Sequence, residues 1–403
     1  MHLTQKEKRI LQGEKGSIKA KALKLLVEMG KQKGAEELVD IRRSHISGVS
    51  YKTAGKPMLQ LLEDMVEHGV KVKTFATVNP AGMPRKGWKS LGVPEEFALP
   101  QHRIIAAYQK LGCEVTLSCT PYSLYSPKKG ETVAFAESSA VCYVNSVIGA
   151  RTNRHGSLDA LAASITGKVP KMGLLLDEKR RPGILIKVNF VPASQTEFSL
   201  LGLYIGGKIE KEDNPAFSLS NVPTEDELKS LGGGLATSGA IALFHVLGVT
   251  PEAQNLTEKE LRSLETITVT EEELEEFSKE RKKVTEKPDL IAFGCPHVSF
   301  NRLKAISKKL AGRKVRNAIS LWIFTSEAVI SRANESLLKS IRNAGGQLII
   351  DTCPVVAPIE KMGIKKVVVD SGKACSYIPR LAKGVTASIS NLDEIVEKWT
   401  VKC

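Results

Sequence analysis

Three of the seven cysteines lie in short polar turns that a plain hydrophobic core does not need. The three settings are Ser118-Cys119-Thr120-Pro121-Tyr122, Gly294-Cys295-Pro296-His297 and Asp351-Thr352-Cys353-Pro354. In each, an apolar, strand-like run ends near the cysteine and a proline follows within two residues. α/β folds place ligand sites at such strand ends. Thiolates from three distant segments suggest a metal ion or an iron–sulfur cluster, and three ligands in place of four would leave one iron open to a substrate.

The alternative for these three cysteines is that they fill space in the core, because free cysteine is among the most buried residue types. Their wide spacing contains no CxxC-type signature that would decide between the two interpretations. Among the other four, Cys113, Cys142 and Cys403 have ordinary settings. Cys375 follows a possible site loop and stays ambiguous.

The length of 403 residues is enough for two or three domains with a large core, and the composition is that of a globular α/β protein. No apolar stretch is long enough to span a membrane, and the start of the chain, Met1 to Lys8, lacks the apolar centre of a signal peptide. We therefore expect a cytoplasmic protein with reduced thiols and no disulfide framework.

The net charge of +14 has three competing explanations, which are nucleic acid, a small anionic substrate and an acidic partner subunit. The basic residues are dispersed and often alternate with acidic ones, as in Lys6-Glu7-Lys8-Arg9. No basic stripe interleaved with aromatic residues and no zinc-finger or RNP motif accompanies the charge. Nucleic-acid binding therefore rests on charge alone.

Alternating helical and strand patterns predict an α/β fold with an N-terminal region of two subdomains, residues 1–288, and a C-terminal domain, residues 289–403. The helices expected in the N-terminal region are Lys6–Met29 (split near Gly13 and Gly16), Lys56–Gly69, Pro94–Leu111, Ala140–Gly149 and Leu158–Thr166. The strands expected there are Glu36–Ile41, Val70–Thr77, Val115–Leu117 and Thr132–Phe135. Ser44 to Ser50 is expected to be a loop whose small residues suit close approach of an anion.

Glycines and charges predict three irregular regions further along the chain. Gly183 to Gly207 is expected to be a β-rich insertion with glycine turns, and Gly232 to Gly234 a flexible break after the helix Thr224–Leu231. Lys283 to Pro288 is expected to be a linker.

From Leu290 onwards, strands alternate with helices and predict a parallel, doubly wound sheet. The loop Asp370-Ser371-Gly372-Lys373 follows a strand and precedes a helix, which is where an oxyanion would dock. The sequence contains no GxGxxG or Walker motif.

Several stretches together resemble the aconitase X family, a branch of the aconitase superfamily. The stretches are NPAGMPRKGW, GVPEEFALPQHRIIAAY, LSCTPY, AFAESSAVCYVNSVIGARTNRHG, LFHVLGVTPEA, FGCPH, DTCPVVAP and DSGKACSYIP. They run through nearly the whole chain in the family's order, and they are specific as a set although no single one would suffice.

The resemblance implies an aconitase-like α/β fold, with several doubly wound α/β domains around a central cluster site. It implies a hydro-lyase whose 4Fe–4S cluster is held by Cys119, Cys295 and Cys353 and whose open iron binds a substrate hydroxyl and carboxylate. Cys375 is expected not to be a ligand. In the superfamily the base is typically a serine on a swivelling domain.

This chain has no room for the swivelling domain after Trp399, so we expect a separate small subunit and a hetero-oligomer. Two-chain members of the family dehydrate either (R)-5-phosphomevalonate, in the modified mevalonate pathway of isoprenoid biosynthesis, or cis-3-hydroxy-L-proline. The basic charge favours the first substrate, which carries both a carboxylate and a phosphate.

Candidate substrate residues follow from the same loops. They are the loop Gly48, Val49 and Ser50, the turn Asn79 and Pro80, the helix start Glu137, Ser138 and Ser139, the carboxylate-pairing Arg151, and Ser371, Gly372 and Lys373. The alternatives are turn geometry, a helix cap, a surface arginine and an ordinary helix start. Three histidines, His45, His245 and His297, could donate hydrogen bonds to the residues that contact the cluster or substrate, but such histidines are more often structural.

Two hypotheses from other classes use the same residues differently. In one, the three cysteines bind zinc or another single metal ion in a hydrolase. In the other, they are core residues of a nucleic-acid-binding protein.

Overall fold

The computed structural model describes residues 1–282 and 287–403. The linker expected from Lys283 to Pro288 lies outside these ranges except for its last two residues. Among the described helices, none combines the length and apolar composition that a bilayer crossing requires.

The first α/β unit is built around a small parallel sheet. Its elements are α1 (Gln5–Leu11), α2 (Ser17–Gln32), β1 (Leu38–Asp40), β2 (Arg43–Ile46), α3 (Tyr51–Glu67), β3 (Phe75–Val78), α4 (Glu95–Lys110), β4 (Ala134–Phe135), α5 (Ser138–Tyr143), α6 (Ser157–Thr166) and β5 (Lys168–Pro170). Strand β2 lies between β3 and β4, while β1 pairs with β5. In α4, acidic residues in the first turn and Lys110 in the last complement the helix dipole, and Ile104 and Tyr108 are buried. Because β2 is parallel to both β3 and β4, the loops that follow these three strands lie at the same edge of the sheet.

The second unit has a parallel sheet in the order β8-β7-β6-β9. Its elements are β6 (Ile184–Val188), α7 (Gln195–Gly206), β7 (Ala216–Ser218), α8 (Glu225–Ser238), β8 (His245–Val246), α9 (Glu258–Arg262), β9 (Glu265–Val269) and α10 (Glu271–Lys279). Phe198, Phe217 and Phe244 are buried between its layers. The division of the N-terminal region into two subdomains stays a prediction.

Glycine-rich segments of the second unit are helical, so the expected β-rich insertion and the expected flexible break were both wrong. Within 183–207, helix α7 has 12 residues and strand β6 only 5, and α8 continues through Gly232–Gly234. A Cβ atom on Gly202 would overlap the Leu231 carbonyl oxygen, and one on Gly234 would overlap the Ser199 carbonyl oxygen. The glycines therefore allow two helix backbones to touch and do not mark turns.

The third unit contains a parallel sheet in the order β13-β12-β10-β14-β15, as expected for a doubly wound domain. Its described elements are β10 (Leu290–Val298), α11 (Phe300–Leu310), β11 (Arg313–Val315), β12 (Ser320–Thr325), α12 (Glu327–Ile330), α13 (Glu335–Asn343), β13 (Gly346–Ile349), β14 (Lys366–Val369), α14 (Gly372–Leu381), β15 (Thr386–Ile389), α15 (Leu392–Trp399) and β16 (Thr400–Lys402). Every residue of β10 is buried, as is typical of a parallel strand covered on both faces.

The strand order changes direction between β10 and β14, and this switch point opens a crevice. Cys295 lies where the pairing of β10 with β12 is interrupted between Phe293 and Val298. Lys373 lies in the first turn of α14, directly after β14. The fold therefore places Cys295 and Lys373 at the carboxyl ends of two neighbouring strands, next to this switch point.

Two local expectations for the first unit were also wrong. Ser44–Ile46 belongs to strand β2, so the loop begins only at Ser47. Within the described residues 1–178, Val115–Leu117 is not a strand. Leu117 has a left-handed φ of 45°, which ends the extended conformation shortly before Cys119.

Candidate functional site

His297 brings the three cysteine loops into contact. It lies two residues after Cys295, and its backbone N–H donates to Cys119 Sγ over 3.2 Å. Its ring Nε2 donates to the carbonyl oxygen of Thr352, the residue before Cys353, over 2.9 Å. Loops that are far apart in sequence therefore meet at one buried imidazole.

The ring of His297 is neutral, because burial lowers its pKa to about 4. A neutral imidazole has one N–H and one acceptor nitrogen. Since Nε2 donates to Thr352, Nδ1 is the acceptor for Ser118 Oγ at 3.2 Å. Both ring nitrogens therefore hold residues next to the cysteines.

The thiols of Cys119, Cys295 and Cys353 share one buried environment, and each residue is 7% exposed. Burial raises the pKa of Cys119 to about 12, with smaller contributions from Glu137 and Cys353. Burial also raises the pKa of Cys295 and of Cys353, and the other two thiols add to the rise at Cys295. Cys295 therefore lies within electrostatic range of both other thiols. Three soft donors on structured loops fit the ligand set of an iron–sulfur cluster.

A single zinc ion and an iron–sulfur cluster require different distances between the cysteine sulfurs. Across residues 1–282 and 287–403, no three His, Cys, Asp or Glu side chains are placed to hold one metal ion. Ligands of a single zinc ion must all lie about 2 Å from it. Thiolates of a cluster bind different irons and stand further apart, so the two hypotheses require different spacings of the sulfurs.

A buried ion pair between Lys373 and Glu137 lies beside the thiols. Lys373 Nζ contacts a Glu137 carboxylate oxygen and also donates to Ser138 Oγ (3.1 Å) and Ser139 Oγ (3.2 Å). Burial alone would raise the pKa of Glu137, but Lys373 and neighbouring donors lower it to about 2. Burial alone would lower the pKa of Lys373, but Glu137 and Cys295 raise it. Both groups are therefore charged at neutral pH.

A chain of hydrogen bonds orients the Glu137 carboxylate. Asn79 Nδ2 donates to its second oxygen over 3.0 Å, and Asn79 Oδ1 lies 3.3 Å from His45 Nε2. The other ring nitrogen of His45 lies 2.8 Å from Thr77 Oγ1. Burial lowers the pKa of His45 to about 4, so this ring is also neutral. The structure thus brings together Asn79, Glu137, Ser138, Ser139 and Lys373 from the predicted set.

The predicted loop Gly48–Ser50 contacts the third cysteine loop. Ser50 Oγ donates to the carbonyl oxygen of Val356 over 2.8 Å, and Val49 is buried. Gly48 has a φ of 75°, and a Cβ atom there would collide with Ser157 Oγ. This loop therefore packs closely between two other segments.

The start of α14 differs in detail from the expected oxyanion site. Ser371 Oγ donates to the carbonyl oxygen of Cys295, and Gly372 N–H donates to Ser199 Oγ over 2.9 Å. These two groups are therefore occupied within the protein. The expected anion contact depends on Lys373.

Two predicted substrate residues have other surroundings. Arg151 donates to the carbonyl oxygen of Leu175 over 2.9 Å and pairs with Asp177, and none of its described contacts is with the site. Pro80 is buried beside Asn79. Their roles in substrate binding stay predictions.

Cys375 lies apart from the three thiols in its described contacts. It is buried in α14, and its Sγ lies 3.7 Å from the Ala387 carbonyl oxygen. Its expected absence from the ligand set stays a prediction.

Two histidines and one ion pair lie at the site although the sequence motifs do not assign them a role there. His45 and His297 contact site residues, whereas His245 bonds to the Arg180 carbonyl oxygen elsewhere. The pairing of Arg85 with Asp351 joins residues 266 positions apart. In the sequence, the one sign of a role for this ion pair is that Asp351 lies in the third cysteine turn, two residues before Cys353.

A cavity of about 670 Å³ lies beside the site, with Tyr122 in its wall. Its lining includes three consecutive acidic residues of α8, Glu225, Asp226 and Glu227, and none of the predicted substrate residues. Lys229 and Arg302 also line this cavity, so its charge is mixed. We do not assign the substrate to it because none of the predicted substrate residues lines it.

Family models of aconitase X cover nearly the whole chain. The first domain of aconitase X matches residues 1–178, the second domain matches 182–279 and the third domain matches 288–400. The chain belongs to the aconitase X family. The family predicted from the sequence motifs is therefore confirmed.

Individual proteins agree with this assignment. The chain is 41% identical over 401 residues to the phosphomevalonate dehydratase large subunit of Methanothermobacter thermautotrophicus, which covers 99% of this chain and 97% of that protein. It is 31% identical to the cis-3-hydroxy-L-proline dehydratase of Pseudomonas aeruginosa, which covers 92% of this chain but 65% of that protein. The predicted class of enzyme, a hydro-lyase, is the class of these relatives.

A solved structure has the same fold. The crystal structure of Thermococcus kodakaraensis aconitase X in its holo-form matches with a TM-score of 0.91 and 35% identity, over 99% of this chain and 100% of that one. The predicted aconitase-like α/β fold is confirmed.

Proposed function

We propose that this chain is the large, catalytic subunit of a hydro-lyase that converts (R)-5-phosphomevalonate to trans-anhydromevalonate 5-phosphate in the archaeal modified mevalonate pathway. The observation that carries the proposal is the meeting of three cysteine loops beside the buried Lys373–Glu137 pair. The choice of substrate rests on similarity to a phosphomevalonate dehydratase large subunit over nearly the full length of both chains.

The cofactor in this proposal is a 4Fe–4S cluster held by Cys119, Cys295 and Cys353. When bound, a cluster with an open iron supplies a Lewis acid that makes a substrate hydroxyl a better leaving group.

The residues of this chain bind and orient the substrate. Lys373 is a buried cation at the site, and its three N–H groups donate to Glu137, Ser138 and Ser139. A substrate carboxylate would therefore bind Lys373 by replacing one of the two serine contacts. Ser138 Oγ accepts from Lys373, and within the described contacts its own hydrogen has no acceptor. That hydrogen is available to a substrate oxygen. Glu137, with a pKa of about 2, stays ionised and holds Lys373 and Asn79 in place.

We assign the base that removes the proton to a serine of a small partner subunit. Among the described residues at the site, Glu137 is held by Lys373 and Asn79, and His45 and His297 each have both ring nitrogens occupied. A partner also agrees with the words "large subunit" in the relative's name. We place the resulting hetero-oligomer in the cytoplasm.

The test is to purify the chain anaerobically, reconstitute it with iron and sulfide, and then assay it with the small subunit. We expect about four irons and four sulfides per chain. We also expect turnover of (R)-5-phosphomevalonate only when both subunits are present. Absence of iron and sulfide after reconstitution, or full activity of this chain alone, would contradict the proposal.

The second candidate is dehydration of cis-3-hydroxy-L-proline, supported by the 31% identity to a cis-3-hydroxy-L-proline dehydratase. Parallel assays of the two compounds with the same holoenzyme decide between them. Mononuclear zinc hydrolysis and nucleic-acid binding have no comparable support, since the relatives named above are dehydratases.

A further inference from the structure

We propose that Arg85 and Asp351 form a clamp that positions Cys353 as a cluster ligand; this role rests on the cluster in the proposed function. Arg85 Nε and its backbone N–H each donate to Asp351 Oδ2 over 3.0 Å, and Arg85 Nη2 donates to Oδ1 over 3.0 Å. The carboxylate thus accepts a two-pronged guanidinium contact and a backbone hydrogen bond. The Asp351 side chain is 4% exposed and that of Arg85 is 39% exposed, so water reaches the guanidinium but hardly the carboxylate. Arg85 also lies 3.4 Å from the exposed Glu327.

The clamp joins the first unit to the third at the residue where the cysteine turn begins. Asp351 has a left-handed φ of 68°, which a non-glycine residue adopts at a cost. Its carbonyl oxygen accepts from the Ala81 N–H over 2.8 Å, and Ala81 pairs with Thr352 in a parallel bridge. The segment just before Cys353 is therefore held by the first unit through both backbone and side chain.

The next contact along the chain belongs to the site itself. Thr352 accepts from His297, whose N–H donates to Cys119. The clamp on Asp351 therefore fixes one end of the three-residue segment Asp351-Thr352-Cys353, whose other end is the predicted ligand. Without Arg85, the buried Asp351 carboxylate would lose its cation, and the strained turn would lose a main restraint.

The test compares Arg85→Ala, Arg85→Lys and Asp351→Asn with the control Arg103→Ala. Arg103 makes a two-pronged contact with Glu63 in the same unit, at 2.8 and 2.7 Å, away from the cysteine loops. Asp351→Asn keeps the shape and tolerates a left-handed φ while it removes the charge. Arg85→Lys keeps the charge but not the planar fork.

Two rates are measured for every variant. One is the alkylation rate of each cysteine in the cluster-free protein, read by peptide mass spectrometry. The other is the rate at which the reconstituted protein loses iron to a chelator, followed by visible absorption. For Arg85→Ala we expect both the Cys353 alkylation rate and the iron-loss rate to rise about tenfold or more. Both rates for Arg85→Lys should lie between those of Arg85→Ala and the unmodified chain. Both rates for Arg103→Ala should equal those of the unmodified chain.

The clamp is refuted if Arg85→Ala and Asp351→Asn match Arg103→Ala in either rate. It is also refuted if all three site cysteines become equally reactive, since that reports general unfolding. If circular dichroism shows that Arg85→Ala does not fold, Asp351→Asn decides by the same two rates. If the unmodified chain binds no cluster, the proposed function fails, and Cys353 alkylation alone then decides whether the clamp orders the turn.

Discussion

The backbone N–H of His297 donates to Cys119 Sγ across 178 positions of sequence. Hydrogen bonds to a cysteine sulfur stabilise negative charge on it and help to set the potential of a bound iron–sulfur cluster. The first and third units thus meet through an atom that is itself a predicted ligand. Four expectations follow from this region and from the packing around it.

Replacing Cys295 with alanine should abolish cluster binding, whereas replacing Cys375 with alanine should preserve it. Both cysteines are buried in the third unit, but only Cys295 is near the other two thiols. The measurement is iron and sulfide content after anaerobic reconstitution. Loss of iron from Cys375→Ala with retention in Cys295→Ala would show that the ligand set is wrong.

Replacing Lys373 with methionine should lower the free energy of unfolding by about 3–5 kcal/mol, because it leaves Glu137 buried without its cation. The double variant Lys373→Met/Glu137→Gln should be more stable than the single variant, since the stranded charge is gone. Urea unfolding midpoints measure both effects.

A matched control for this variant is Lys279→Met, which breaks the exposed pair of Lys279 with Glu276. We expect little change in the free energy of unfolding of Lys279→Met, because solvent screens exposed ion pairs. Equal stability of Lys373→Met and the unmodified chain would mean that the buried pair is not charged.

The cluster-free protein should lose stability as the pH falls from about 6.5 to 4. His45 and His297 have pKa values of about 4 when folded, below the ordinary value of 6.5. In that window the unfolded chain binds protons that the folded chain does not. Each histidine can therefore remove up to about 3 kcal/mol. Below about pH 4.5, Glu137 adds a further loss that continues to pH 2.

The variant His45→Gln isolates one of these contributions. Glutamine can still hydrogen-bond to Thr77 or Asn79 but does not titrate, so stability should depend less steeply on pH between 6.5 and 4. The measurement is the thermal unfolding midpoint at pH 7, 6, 5 and 4. An unchanged slope in His45→Gln would show that this ring is not the titrating group.

Replacing Gly234 with alanine should destabilise the second unit, whereas replacing its neighbour Gly233 should not. A Cβ on Gly234 would overlap the backbone of α7, while one on Gly233 would lie 3.6 Å from Pro296 Cδ in ordinary contact. Both residues lie inside α8, where alanine is intrinsically favoured over glycine by about 1 kcal/mol. Thermal unfolding of the two variants measures the difference. Equal midpoints would mean that α7 and α8 can move apart freely.

The contrast between the cysteine turns and the glycine helices shows what the sequence could predict. A strand followed by cysteine and proline is a local pattern, so the turns at Cys295 and Cys353 and the parallel sheet of the third unit were predictable, whereas the strand expected before Cys119 did not form. Gly202 and Gly234 have the same local pattern as turn glycines, and only the partner helix reveals that they permit close packing. The pairing of Arg85 with Asp351 joins two units and leaves no local signal.

The separation between Cys119 and Cys353 also sets an order of events during synthesis. At about 5–20 residues per second, a ribosome needs roughly 10 to 50 seconds to advance from one cysteine to the other. For most of that interval His297 has not yet been made, and the third turn is complete only at its end, so Cys119 lacks the contacts that surround it in the folded chain. The Cys119 thiol of a nascent chain is therefore accessible to oxidants and free metal ions. A reaction with either at that stage would block a predicted cluster ligand before the site has formed.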